Sequence, residues 1–278
     1  MDDIQSKVLL CPRNDEESLQ ILKLSTAIDL PTLVSDQAHG AKLSGEKDLL
    51  ARLLEVNSDM KTLVIVEIPG VKEEEDLRKQ GIEVVIIDHH RYDDLDRMSQ
   101  QSSLEQFRKL FELNDTKLTE LGFDPKMIAG VGAIDRGFLW ELKNEDLNED
   151  ERKQAIAYYR SLTMELGGER REREEELAQI VWKNRVEDEG VIILRSDDDT
   201  TSVRDPLSFI VAENYPDHPP QTVIFQGSRR VYVQESEKAR ELYDTYGGFT
   251  FGRDACWGKM NDDEALPTQE EILKVLRS

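Results

Sequence analysis

The chain is predicted to be an α/β protein whose first part is a doubly wound, mostly parallel sheet. Three observations carry that prediction. Short apolar runs rich in β-branched residues recur through the first 140 or so residues. Stretches with amphipathic helical spacing separate them. The runs are continuous rather than alternating, as in "TLVIVEI" and "EVVIID", which is the pattern of strands covered by helices on both faces.

Taken in order, "SKVLLC" reads as a strand, "EESLQILKLSTAI" as a helix, "PTLVSD" as a strand and "EKDLLARLLEVN" as a helix. "KTLVIVEI" is the third strand, "EEEDLRKQG" a short helix with a glycine stop, and "IEVVIIDHH" the fourth strand. If that strand continues through its two histidines, their imidazoles point in different directions. Residues 141–188 are charged and helical and read as a connector, broken by the pair Gly167-Gly168 and expected to contain a hinge. Beyond it, "GVIILRS", "QTVIFQG" and "RRVYVQE" read as strands, with "PLSFIVAENY" and "SEKARELYDTY" as helices. A glycine-rich turn, "YGGFTFGRDACWGKM", and a tail ending in a short amphipathic helix follow. The expected domains are therefore 1–140, the connector 141–188, and a smaller α/β domain at 189–278.

Composition narrows the function. The 278 residues carry a formal charge of −22, which argues against a long nucleic acid bound through a basic face. A small anion held by a metal or a few local cations remains open. No run has the apolar length of a membrane span, the N-terminus lacks the layout of a signal peptide, and the two cysteines form no disulfide framework. A cytoplasmic protein with no membrane partner is the expectation. The oligomeric state stays open, a homodimer being one option.

In open parallel sheets ligands bind beyond the carboxyl ends of the strands, and those ends carry chemistry here. "NDEES" places Asp15 and Glu17 after the first strand, "IVEIPG" places Glu67 after the third, and "IIDHH" places Asp88, His89 and His90 after the fourth. Asp135 follows in "VGAIDRG". Neutral imidazole with carboxylates suits Mn²⁺ or Mg²⁺ better than a thiolate-rich set does. Each residue alone has a structural explanation: Asp15 as a helix N-cap with Glu17 in the first turn, Glu67 in a solvated turn, Asp135 paired with Arg136. Convergence on one sheet edge favours a site.

These residues resemble the DHH phosphoesterase superfamily, which includes RecJ-type exonucleases, nanoRNA and pAp phosphatases, cyclic-dinucleotide phosphodiesterases and manganese inorganic pyrophosphatases. Its name motif is matched by Asp88, His89 and His90. The first motif, a histidine followed by two acids, falls on Cys11, Asp15 and Glu17; the later acids fall on Glu67 and Asp135. The DHH-associated C-terminal domain, with its glycine-rich turn, is matched by "GGFTFGRDACWG". The departures are Cys11 and Arg253 in place of histidines, and Glu17 and Glu67 in place of shorter aspartates.

The resemblance implies a metal-dependent phosphoesterase acting on a small nucleotide, a cyclic or linear dinucleotide or a very short oligonucleotide, in a cleft between two domains. It implies two Mn²⁺ or Mg²⁺ ions, one weakened by the departures. Glu67 would bridge them, Cys11 and Asp15 would serve one, and Glu17, His89 and Asp135 the other. Asp88 would orient an imidazole, and His90 would face the scissile phosphate. Substrate phosphates would meet the turn of Gly247, Gly248, Gly252 and Gly258, with Arg253, Lys259, Arg229 and Arg230 as cations. The alternative is a catalytically inactive relative acting as a binding or scaffold module, which the Cys11 departure favours.

Overall fold

The computed structural model describes residues 4–92, 95–252, 254–261 and 265–278. It divides the chain into two compact units, residues 1–136 with 142–166, and 137–141 with 167–278. The division thus falls inside the charged stretch read as a connector, and each half of that stretch joins one unit.

The first unit is built on β1 (Lys7–Pro12), α1 (Glu16–Ala27), β2 (Thr32–Ser35), α2 (Leu49–Val56), β3 (Thr62–Val66), α3 (Val71–Lys79) and β4 (Glu83–Ile87). All pairings in its sheet are parallel, in the order β2-β1-β3-β4. Side-chain alternation sends Leu9, Cys11, Val64, Val66 and Ile87 to one face and Val8, Leu10, Leu63 and Ile65 to the other. Leu53 of α2 and Leu77 of α3 cover the second face. The first is covered by α1 together with α4 (Ser103–Leu110), α5 (Asp115–Glu120), α6 (Pro125–Glu141) and the start of α7 (Glu149–Lys183). Burial on both faces is why these strands are continuous apolar runs.

Local chemistry sets the boundaries. Asp15 and Ser18 form a reciprocal capping box at the start of α1, and Ser102 and Glu105 form one at α4. Gly81, at φ 85°, takes the left-handed conformation that stops α3. The long helices are interrupted at Gly137–Phe138 in α6 and at Gly168 in α7, and the chain passes between the two units at or beside these breaks.

The second unit holds a six-stranded mixed sheet. Its elements are β5 (Val186–Asp188), β6 (Val191–Ser196), α8 (Arg204–Asn214), β7 (Gln221–Gln226), β8 (Arg230–Gln234), α9 (Ala239–Tyr246), β9 (Phe249–Phe251), β10 (Cys256–Met260) and α10 (Gln269–Leu276). The strand order is β5-β6-β7-β8-β10-β9, with only β6 and β7 parallel. The stretch read as a glycine-rich turn is mostly the β9–β10 hairpin, with Gly252 at φ 58° and Asp254 at φ 61° in its turn. Alternating aromatics in "FTF" pair across to "CWG", a strand signal outweighed in the sequence by the glycines around it. Among the described residues no helix is long and apolar enough to cross a membrane.

Candidate metal centre

The strand order reverses between β1 and β3: the chain runs from β1 outward to β2, then crosses to β3 on the other side. Crevices in open α/β sheets form at such a point. Asp15 and Glu17 follow β1, Glu67 follows β3, and Asp88, His89 and His90 follow β4, so the topology delivers all of them to the carboxyl edge. Asp135 arrives from α6, just before its break.

Glu67 is aimed by its backbone. It occupies the left-handed region at φ 51°, a conformation that costs a non-glycine residue about 1–2 kcal/mol. Its N–H still donates to the Ile87 carbonyl at 3.0 Å, closing the end of the β3–β4 pairing. Ser103 at the start of α4 donates its hydroxyl to Glu67 Oε1 at 2.7 Å. The Leu104 N–H of the same turn donates to Glu17 Oε1 at 2.8 Å. The amino end of α4 therefore faces the buried Glu17 and the half-buried Glu67 carboxylates with its free N–H groups and a favourable dipole.

Four side chains then meet at one point. His89 Nε2 lies 2.9 Å from Asp135 Oδ2, 3.3 Å from Glu67 Oε1 and 4.0 Å from Glu17 Oε2. One donor atom from each of Glu17, Glu67, His89 and Asp135 falls within 4.8 Å of the other three. Glu17 Oε2, Asp135 Oδ2 and both His89 nitrogens are buried yet lack hydrogen-bond geometry to any partner. Unsatisfied buried polar atoms are rare and call for an explanation such as an ion. Three carboxylates and an imidazole facing one small volume fit a hard or borderline divalent cation.

The histidine pair sits differently from the sequence expectation. β4 ends at Ile87, so the strand does not continue through the pair and the two rings do not take opposite faces. The cause is Asp88, whose Oδ1 accepts from the His90 N–H at 3.0 Å, a local aspartate turn that ends the strand. The rings lie edge to face, 4.3 Å between centroids. His89 is buried, whereas the His90 side chain is 43% exposed and holds Nδ1 3.2 Å from Asp88 Oδ1. Asp88 thus orients His90.

Asp88 is itself held. Its Oδ2 accepts from the Tyr92 hydroxyl at 3.0 Å, and Arg97 NH1 lies 3.7 Å away. Arg97 also pairs closely with Glu74 of α3. Both acids are buried, at 4% exposure. Alanine at Arg97 leaves two buried carboxylates without their shared cation, so a loss of about 3–5 kcal/mol in folding stability is expected. Urea unfolding followed by circular dichroism measures it; a change under about 1 kcal/mol would mean that solvent already screens the pair.

The electrostatics follow from this crowding. Burial opposes charge on His89, but the nearby carboxylates of Asp135, Glu67 and Glu17 outweigh it and push its pKa up to about 11. His90 rises to about 9, burial being outweighed chiefly by Glu67 and Asp88. Burial pushes Glu67 up, yet the charges of His90 and His89 and the Ser103 hydroxyl bring it down to about 2. Asp15 is raised to about 7 by burial and by repulsion from Glu67 and Asp135. Glu17 is raised by burial and by the same two acids.

Cys11 and Asp15 stand beside the cluster. The Cys11 thiol is buried and contacts the carbonyls of Pro12 at 3.4 Å and Ser18 at 3.7 Å. Burial, together with Asp15, Glu67 and Glu17, raises its pKa well above the ordinary value. Asp15 Oδ1 accepts from the Ser18 N–H at 2.7 Å.

The residues picked from the C-terminal motif lie in the second unit. Gly247, at φ 68°, ends α9. Gly248 lies so close to β10 that a side chain would strike the Gly258 carbonyl, and one at Gly258 would strike Phe249 and Tyr232. Lys259 is buried and its Nζ donates to the Tyr246 carbonyl at 2.6 Å, so its charge ties down the end of α9 instead of standing at a surface. Arg230 donates to the Asp199 carbonyl at 3.0 Å, while Arg229 is exposed in the β7–β8 turn. Arg253 lies outside the described residues.

Sequence reasoning passed over Ser103, Arg97, Tyr92 and Glu74. The first had a signal: "SSLE" is a capping-box pattern that marks a helix start. Arg97 and Glu74 are 23 positions apart and carry none.

No protein-family model matches the sequence, and no curated protein does. Among solved structures, exonuclease RecJ bound to manganese is 13% identical, with a TM-score of 0.45 over 98% of this chain and 89% of that one. A pGpG-specific phosphodiesterase, PggH from Vibrio cholerae, is also 13% identical, with a TM-score of 0.44 over 97% of each chain. The similarity to both structures extends over nearly the whole length of this chain.

Proposed function

We propose that the protein is a metal-dependent phosphoesterase for a small nucleotide, dinucleotide or very short oligonucleotide, with Mn²⁺ as the preferred ion. One observation carries the reading: buried donor atoms of Glu17, His89 and Asp135 that make no hydrogen bond converge beside Glu67 at the switch point of the sheet, next to a half-exposed imidazole. A buried acidic cluster of this kind has no use in a scaffold, because its repulsion works against the fold.

Glu17, Glu67, His89 and Asp135 would hold a divalent ion, which would supply Lewis-acid charge to a phosphoryl oxygen and lower the pKa of water. The chain's own residues do the rest. Asp88 fixes the ring of His90 through Nδ1, leaving Nε2 to donate to a phosphate oxygen. The carboxylates of Glu67 and Asp88 favour the protonated ring, and a protonated His90 would stabilise charge that grows on the phosphate. Arg97 and Tyr92 keep Asp88 in place for that task. The acidic surface favours short substrates, since extended nucleic acid needs cations along its path. In the second unit, Arg229, Gly252 and Arg253 are the proposed phosphate contacts, and Arg204 stacks 4.8 Å over the ring of Phe251, the residue before Gly252.

The test is phosphate or mononucleotide release from pAp, linear and cyclic dinucleotides, short RNA and DNA oligomers and pyrophosphate, with Mn²⁺ and with chelator. Release from a nucleotide substrate that needs Mn²⁺ is the expected result. A folded protein that releases nothing from any of them would shift the reading to a binding module.

A further inference from the structure

Two groups of donors lie close enough to hold an ion among the described residues: Glu17, Glu67, His89 and Asp135, and Glu67, His89 and His90. They share Glu67 and His89. An imidazole nitrogen offers one lone pair, and His89 Nε2 already faces Asp135, Glu67 and Glu17. The second group then retains only Glu67 and His90, and His90 Nδ1 is engaged by Asp88 Oδ1 at 3.2 Å.

Cys11 and Asp15 belong to neither group of donors, and each has its own partners near the start of α1. The thiol is directed at the Pro12 and Ser18 carbonyls from within the apolar cluster on its face of the sheet. Asp15 Oδ1 takes the Ser18 N–H at 2.7 Å while the Ser18 hydroxyl accepts the Asp15 N–H at 3.2 Å. By contrast, Glu17 Oε2, Asp135 Oδ2 and His89 Nε2 are without hydrogen bonds, and Glu17 and His89 are only 2% and 5% exposed.

We propose that the centre takes a single divalent cation, bound by Glu17, Glu67, His89 and Asp135, and that Cys11 and Asp15 shape the start of α1 without ligating an ion. The inference rests on the reading of this cluster as a metal centre.

The experiment is calorimetric titration of the metal-free protein with Mn²⁺, with native mass spectrometry to count ions, in wild type, Asp15→Asn, Cys11→Ala and Glu17→Gln. Asparagine caps a helix as well as aspartate does, so Asp15→Asn keeps α1 intact, and circular dichroism checks the fold of every variant. The expected result is one equivalent in the wild type. Asp15→Asn and Cys11→Ala keep it with Kd changed less than about tenfold, whereas Glu17→Gln weakens it by more than about a hundredfold, beyond the range for residues that only support a ligand. Two equivalents in the wild type would overturn the single-ion inference and leave the metal centre standing. So would a loss beyond about a hundredfold in folded Asp15→Asn or Cys11→Ala. No bound Mn²⁺ at all would overturn both.

Discussion

Alanine in place of His89 is expected to reduce Mn²⁺-dependent phosphoester hydrolysis by at least about a thousandfold. A group that places charge against a developing oxyanion is worth about 10²–10³ in turnover, and His89 does more than that: it faces all three carboxylates at once. Removing it leaves Glu17, Glu67 and Asp135 as a purely anionic set. Asp135→Ala should produce a loss of the same order, because its Oδ2 is the closest partner of His89 Nε2, at 2.9 Å. A second readout separates lost chemistry from a lost fold. Mn²⁺ at about a hundred times its Kd stabilises a native state by about 2.7 kcal/mol, so wild type should melt higher with Mn²⁺ and His89→Ala should not. Wild-type turnover in His89→Ala would remove the cluster from the chemistry.

The second large effect is a reversal of pH dependence on adding metal. Asp15 is raised from 3.8 to about 7 in the fold, so its contribution to stability is fully present below 3.8 and is lost as pH rises through 7. His89 is raised from 6.5 to about 11; its contribution is complete below 6.5 and fades toward 11. Glu17, also raised, acts in the same direction as Asp15. Glu67, lowered to about 2, acts oppositely, but below 4.5. Metal-free protein should therefore lose stability between about pH 5 and pH 8 as the native state releases its extra protons. A bound ion requires deprotonated ligands, so Mn²⁺ affinity should rise with pH as His89 and Glu17 give up their protons. Melting curves in chelator and in Mn²⁺ at the two pH values check this: the gap between them should widen with pH. A gap that stays constant or narrows would mean that these groups do not titrate against the ion.

Much of this arrangement was readable in the residues themselves. β1, β3 and β4 stand out because both their faces are buried, which leaves "KVLLC", "TLVIV" and "EVVII" nearly free of polar positions. The acids and histidines at their ends were conspicuous for the same reason. What stayed hidden was set by backbone geometry and by contacts between distant segments. The turn at Asp88 ends β4 before the histidines and brings both rings toward Glu67; nothing in the run "VVIIDHH" says where pairing stops. Glu67 reaches the centre from a left-handed conformation that sequence favours for glycine or asparagine, not glutamate. Arg97 joins Glu74 to Asp88 only once α3 and the loop after β4 are packed together. In the second unit, Lys259 read as a surface cation because lysine usually is one, yet its ammonium closes α9 from a buried strand.

The central claim is that the point enclosed by Glu17, Glu67, His89 and Asp135 binds a divalent metal, and anomalous diffraction from crystals soaked in Mn²⁺ tests it most directly. A peak is expected in direct coordination of Glu17 Oε2, His89 Nε2 and Asp135 Oδ2, the buried atoms that make no hydrogen bond. Well-diffracting crystals with no peak at that point would contradict it.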